Sequence, residues 1–200
     1  MPITNRSRYG FRWVRAINGG QPPSTEMKWI QTAYSERIRI GDPVKVLTDG
    51  SIAISAGGGT DTYGIVVGGG YYWDGTNLIP AKFVPGATAW GTVWERRSRL
   101  LVMPAKDQLF EIDVDDQANT THAAYAALEG ANSDHVLSGS GDNDATPVLD
   151  ADAVATAAQW RIIESPAQTL ENEDLAGANV KVRVTINETA QAPSVFDAGV

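Results

Sequence analysis

Turn-forming residues interrupt this chain so often that long helices have no room. Asn18-Gly19-Gly20, Gln21-Pro22-Pro23, Gly41-Asp42-Pro43, Asp49-Gly50, Gly57-Gly58-Gly59, Gly68-Gly69-Gly70, Asp74-Gly75 and Pro85-Gly86 all fall before position 90. Glycine supplies the positive φ that tight turns need, and proline fixes φ and removes a backbone donor. Short apolar or alternating runs lie between these breaks. That cadence predicts an all-β protein, a β-barrel or a jelly-roll-like β-sandwich.

The runs themselves support strands. Residues 36–55 read as a hairpin, with Ile38, Ile40, Val44, Val46 and Leu47 before an Asp49-Gly50 turn and Ile52 and Ile54 after it. Tyr63–Val67 reads as a strand stopped by Gly68-Gly69-Gly70. Tyr71–Trp73, Leu78–Val84, Ala89–Trp94 and Leu100–Met103 are further candidates, with Asp74-Gly75 as a second hairpin turn. In 108–116, Glu111, Asp113 and Asp115 alternate with Phe110, Ile112 and Val114, which predicts a half-buried strand with an acidic outer edge. Gln159–Glu164 and the Val180–Ile186 alternation predict two more strands. One short helix is expected over Thr120–Glu129, capped by a threonine and closed by Gly130. Residues 131–158 read as a polar loop region, and the tail from Glu188 as frayed or docked elsewhere.

Two hundred residues suffice for one domain, or two small ones packed together, burying about 70% of the unfolded surface. The organisation expected is an extended N-terminal arm or irregular first layer over 1–35, a small barrel-like half over 36–104, and a β-rich half with the helix over 105–200. The arm contains Tyr9, Phe11, Trp13, Trp29 and Tyr34. So aromatic a segment packs either on its own domain or against a neighbour.

Charge separates the arm from the body. Residues 1–40 hold seven basic and two acidic side chains, a net of +5; the remainder holds nine basic and 22 acidic, a net of −13. An acidic body repels a phosphate backbone, so a nucleic-acid partner is not expected. A basic arm on an acidic body suits an acidic protein surface or a sister subunit. No stretch of 18 apolar residues occurs and no apolar leader follows Met1, so no membrane partner is expected and synthesis in a cytoplasm is the simplest reading.

Catalytic patterns are missing from the sequence. There is no cysteine, which removes disulfides and thiolate metal sites, and the only histidines are His122 and His135. Gly-x-Ser-x-Gly and the glycine-rich phosphate loops do not occur. Neither histidine has a spacing that ties it to a Ser or Asp, so each reads as exposed or satisfied. Glu111, Asp113 and Asp115 sit roughly 6.5–7 Å apart along one strand face, as glycoside chemistry would need and as any solvent-facing acidic strand provides. Asp113-Val114-Asp115-Asp116 and Asp142-Asn143-Asp144 offer oxygen ligands but lack the pattern of a calcium loop. The expectation is no enzyme, no cofactor and no metal. Six tryptophans and six tyrosines suggest a binding alternative, a carbohydrate-binding β-sandwich in which Trp90 and Trp94 share a strand face.

Two groups of motifs carry a family resemblance. The first is Ile40-Gly41-Asp42-Pro43-Val44, Thr48-Asp49-Gly50-Ser51-Ile52 and Tyr63-Gly64-Ile65-Val66. The second runs through Leu109-Phe110-Glu111-Ile112, Ala131-Asn132-Ser133-Asp134, Gly139-Ser140-Gly141, Gln159-Trp160-Arg161-Ile162, Asn172-Glu173-Asp174 and Lys181-Val182-Arg183-Val184-Thr185-Ile186-Asn187. Together they resemble the capsid decoration, or cement, proteins of tailed phages. The resemblance implies a virion structural protein on the capsid surface, made in the host cytoplasm. Its implied partners are the major capsid protein and further copies of itself, commonly as a homotrimer and alternatively as a dimer. Combined with the basic aromatic arm, it makes Arg6, Arg8, Arg12, Trp13, Arg15 and Trp29 the expected contact anchors. Deleting residues 1–20 is then expected to abolish shell binding and leave the β body folded.

Overall fold

The computed structural model describes residues 10–30, 37–57, 61–74, 76–84, 98–115, 122–138, 146–154, 158–165 and 180–187. These form strands β1 (Arg12–Ala16), β2 (Glu26–Trp29), β3 (Ile38–Arg39), β4 (Pro43–Val46), β5 (Ile52–Ile54), β6 (Gly64–Trp73), β7 (Leu78–Ala81), β8 (Phe83–Val84), β9 (Arg99–Pro104) and β10 (Gln108–Asp113). After helix α1 (His122–Ala126) come β11 (Asn132–Ser138), β12 (Thr146–Val154), β13 (Trp160–Glu164) and β14 (Lys181–Ile186). The protein is all-β, as its turn cadence requires.

Two antiparallel sheets make up a sandwich. The first has the order β2-β9-β6-β4-β5, with β7 paired to β6; the second has the order β1-β10-β14-β13-β11-β12. A short β3–β8 ladder covers one face of the first sheet. The chain passes from one sheet to the other at Ala105, whose N–H donates to the Tyr63 carbonyl at 3.0 Å.

Five strands of each sheet follow the same path. In chain order β2, β4, β5, β6, β9 and β10, β11, β12, β13, β14, the first strand pairs with the fifth, the fifth with the fourth, the fourth with the second and the second with the third. The residue after the first strand then bridges the third in parallel, Ile30 to Ile52 in one unit and Val114 to Leu149 in the other. The N–H of that residue also donates to the carbonyl just before the fifth strand, Ile30 to Ser98 at 2.9 Å and Val114 to Val180 at 2.8 Å. The chain is thus a tandem of two units of one topology. In each, a single bridge curls the sheet without laddering it into a closed barrel.

Alternation in the first sheet feeds two cores. Val66, Leu100 and Val102 point into a core with Ile30, Ile38, Val44, Ile52 and Val84. Their neighbours Ile65 and Met103 point the other way, into a core with Phe110, Ile112, Trp160, Ile162, Val182 and Val184. Phe11 joins this second core, its ring 4.3 Å from that of Trp160. Each such fully buried side chain contributes about 1.5–3 kcal/mol.

The structure departs from the sequence expectations in five places. The strand begun near Tyr63 is not stopped by Gly68-Gly69-Gly70 but runs through it to Trp73. The expected loop region 131–158 contains β11 and β12, paired through six registered residues. Its inward positions include Ser133 and His135, both fully buried, so the apolar alternation that signals a strand is missing there. The helix is one turn shorter at its end than expected, although Gly130 does adopt a positive φ of 83°. Asp113 does not stand on an acidic solvent edge; its side chain is buried and pairs with Lys181 at 3.1 Å. The described part of the expected N-terminal arm, residues 10–30, supplies an edge strand to each sheet. Ala89–Trp94 lies outside the described residues.

Candidate interaction surface and the seam between the sheets

Residues directly opposite one another in an antiparallel pair share a sheet face. Met27 faces Leu101, Trp29 faces Arg99, and Tyr71 faces Arg99, which places all five on one side of the first sheet. Ile65 and Met103 lie on that same side and are buried against the second sheet. The face therefore runs out of the intersheet core into solvent, where Met27 is 41% and Tyr71 38% exposed. At its centre the Arg99 guanidinium lies 5.0 Å from the Trp29 ring and 4.8 Å from the Tyr71 ring. Two such contacts hold the cation in place with a strength of about 0.5–1 kcal/mol each. Gly70 makes this stack possible. A Cβ there would sit 2.1 Å from the Arg99 carbonyl oxygen, so only glycine lets β6 lie close enough to set Tyr71 beside Arg99.

The expected anchors fall in different places. Trp29 belongs to the face just described. Arg12 lies opposite Glu111, and Glu111 opposite Arg183. Arg15 pairs with Glu164 at 2.9 Å, and Glu164 also takes a hydrogen bond from Arg183. These residues set cations and carboxylates at neighbouring positions across β1, β10, β14 and β13, with Glu164 engaging both Arg15 and Arg183. Burial works against the charge on Glu164, but Arg183 and Arg15 outweigh it and hold the carboxyl below its ordinary value. Trp13 packs on the second core and donates its indole N–H to Gln108 at 2.9 Å. Arg6 and Arg8 lie outside the described residues.

A buried polar seam joins the two units. His135 Nε2 is 2.7 Å from the Ser55 carbonyl oxygen, and Trp160 donates its indole N–H to His135 Nδ1 at 3.1 Å. An indole nitrogen only donates, so Nδ1 accepts, and the proton sits on Nε2, which donates to Ser55. Thr62 donates its hydroxyl to the Gln159 amide oxygen at 3.1 Å, and the Ser55 and Thr62 hydroxyls are 2.8 Å apart. Ser55 also donates to Asp61 at 3.0 Å, and the Gln159 N–H donates to Asp134 at 2.9 Å. The Ser55 hydroxyl faces Asp61 and Thr62 rather than the imidazole, so the two are not placed as nucleophile and base. Burial pulls the His135 imidazole below its ordinary value, against the Ser55 carbonyl and the charges of Asp134 and Asp61. The sequence offered no apolar or motif signal for this seam, since its members are scattered Ser, Thr, Gln and His residues.

Asp42 is a second buried polar group. It accepts the Arg39 N–H at 2.8 Å, yet burial dominates over Arg39 and Arg37 and pushes its carboxyl up to about 7. Among the described residues, no group of three His, Asp or Glu side chains is arranged to hold a metal ion. The acidic segment Asp142-Asn143-Asp144 lies outside them, as do Trp90 and Trp94. No protein-family model matches the chain, and no curated protein matches it.

Proposed function

We propose that this protein is a structural component of a virion that binds the outer surface of an icosahedral phage capsid and stabilises the shell by bridging capsid subunits. Its partners in this reading are the major capsid protein and further copies of itself, as a trimer or a dimer. In this reading its role is structural and calls for no catalysis, cofactor or metal. The observation that supports the reading most is the face on which Met27 and Tyr71 are exposed beside the half-buried Trp29 and Arg99. Aromatic, Met and Arg side chains are what protein interfaces concentrate, and truncating them usually weakens binding most. Arg99 gives the face a cation suited to an acidic protein surface. The family resemblance adds the kind of partner.

The carbohydrate-binding alternative needs free aromatic faces on which sugars stack. On this face the guanidinium of Arg99 lies over both Trp29 and Tyr71, which favours a protein partner. The test is binding of the intact chain to empty shells, compared with a Met27→Ala/Tyr71→Ala variant. Both side chains are exposed, so the variant should keep its melting temperature and lose at least about tenfold in shell affinity. Equal occupancy by the two proteins would remove this face from the proposal.

A further inference from the structure

Three features meet at His135. Its ring bridges the units, with Nε2 on the Ser55 carbonyl of the first and Nδ1 taking the indole N–H of Trp160 in its own. It is fully buried. Gly57 lies so close that a Cβ there would be 1.8 Å from the His135 carbonyl oxygen, so the two segments pack backbone against backbone beside the ring. The charged groups nearest it on its own sheet are Asp134, bonded to the Gln159 N–H, and Asp150, which lies opposite Asp134 on β12, whereas the residue opposite His135 is the uncharged Leu149. From the first unit come Asp61 and its partner Lys45, 2.8 Å apart. From β13 and from the residue just before β1, the neighbours are Trp160 and Phe11, which carry no charge.

A second proton on the imidazole has to go on Nδ1. That nitrogen would then donate toward an indole N–H that can only donate as well. The contact changes from a hydrogen bond to a clash of two donors in a fully buried site. We propose that His135 is an acid-sensitive latch: protonation breaks the Trp160 contact and parts the two units along the line from Ser55 and Gly57 to His135 and Gln159, while each unit keeps its own sheet.

The sign is fixed by burial. The closed seam holds a neutral imidazole, whereas the opened seam exposes one with an ordinary value near 6.5. The closed form is therefore favoured above pH 6.5 and weakens as pH falls, with the opening equilibrium rising about tenfold per pH unit.

Hydrogen exchange on the intact chain, followed by NMR from pH 7.5 to 5, tests this. The Trp160 indole and the Gln159 amide should lose protection about tenfold per pH unit below 6.5, after correction for intrinsic exchange. Ladder amides of β9 and β14 should not. A His135→Gln variant, whose side-chain amide can still donate to the Ser55 carbonyl, should lose that pH dependence. Flat protection at Trp160 and Gln159 in the wild type would overturn the latch. So would simultaneous loss at the ladder amides, or an acid step that persists in His135→Gln. If that variant does not fold, the wild-type comparison of seam with ladder amides decides alone.

Discussion

Thr62 and Gln159 are 97 positions apart in the chain and are joined by a buried hydroxyl-to-amide hydrogen bond of 3.1 Å. One belongs to each of two units built on the same topology. Removing either partner leaves the other buried without it, at a cost of roughly 1–3 kcal/mol. Thr62→Val and Gln159→Leu should each lower the unfolding free energy by that amount in urea titrations. Because the residues touch, the double variant should lose less than the sum by about 0.5 kcal/mol or more. Strict additivity would mean that the two do not interact.

Gly70 has a backbone role that the sequence disguised as a strand stop. Gly70→Ala places a methyl group 2.1 Å from the Arg99 carbonyl oxygen, so β6 has to move away from β9. Overpacking of this kind costs about 1–3 kcal/mol, and the melting temperature should fall accordingly. Gly20→Ala, with nothing within 4 Å of the added carbon, serves as the neutral control.

Asp42 gives a pH dependence with a defined direction. Its carboxyl rises from 3.8 in the unfolded chain to about 7 in the fold. A raised carboxyl contributes stability that is complete below 3.8 and is lost as pH climbs through 7. Asp42→Asn removes this loss. Relative to wild type, the variant should gain on the order of 3 kcal/mol between pH 4.5 and pH 8 in urea unfolding. Parallel stability curves for the two proteins would contradict the buried carboxyl.

Residues 10–20 no longer read as part of a removable arm. Their deletion takes away Phe11, which is buried against Trp160 and Phe110, and the strand β1 that pairs with β10. The truncated chain should melt several degrees lower, since loss of a core phenylalanine alone costs roughly 3–5 kcal/mol. An unchanged melting temperature would restore the arm reading. Shell binding by this truncation cannot separate folding from docking, which is why point changes at Met27 and Tyr71 are the better probes.

What the sequence revealed follows from where apolar alternation survives. The β4–β5 hairpin was readable because Val44, Val46, Ile52 and Ile54 flank Asp49-Gly50, and the carboxylate of Asp49 does accept the Ser51 N–H at 3.0 Å. β13 and β14 were readable for the same reason. β11 was not, because its buried positions include Ser133 and His135, which look like a loop until the seam gives them partners. The tandem topology was invisible because it resides in strand pairing and not in repeated residues. Of the expected anchors, Trp29 lies on the exposed face, whereas Arg15 is engaged within its own sheet. Tyr71 and Arg99 were missed, since cross-strand proximity through a glycine-lined bulge leaves no spacing to read.

The most direct measurement is the native mass of the intact chain by light scattering, followed by co-sedimentation with empty tailed-phage capsid shells. A capsid-bridging protein gives a symmetric oligomer that saturates the shells at a fixed ratio per capsid subunit, with occupancy reduced at least about tenfold in Met27→Ala/Tyr71→Ala. A monomer that leaves the shells unoccupied at every concentration contradicts the proposed function.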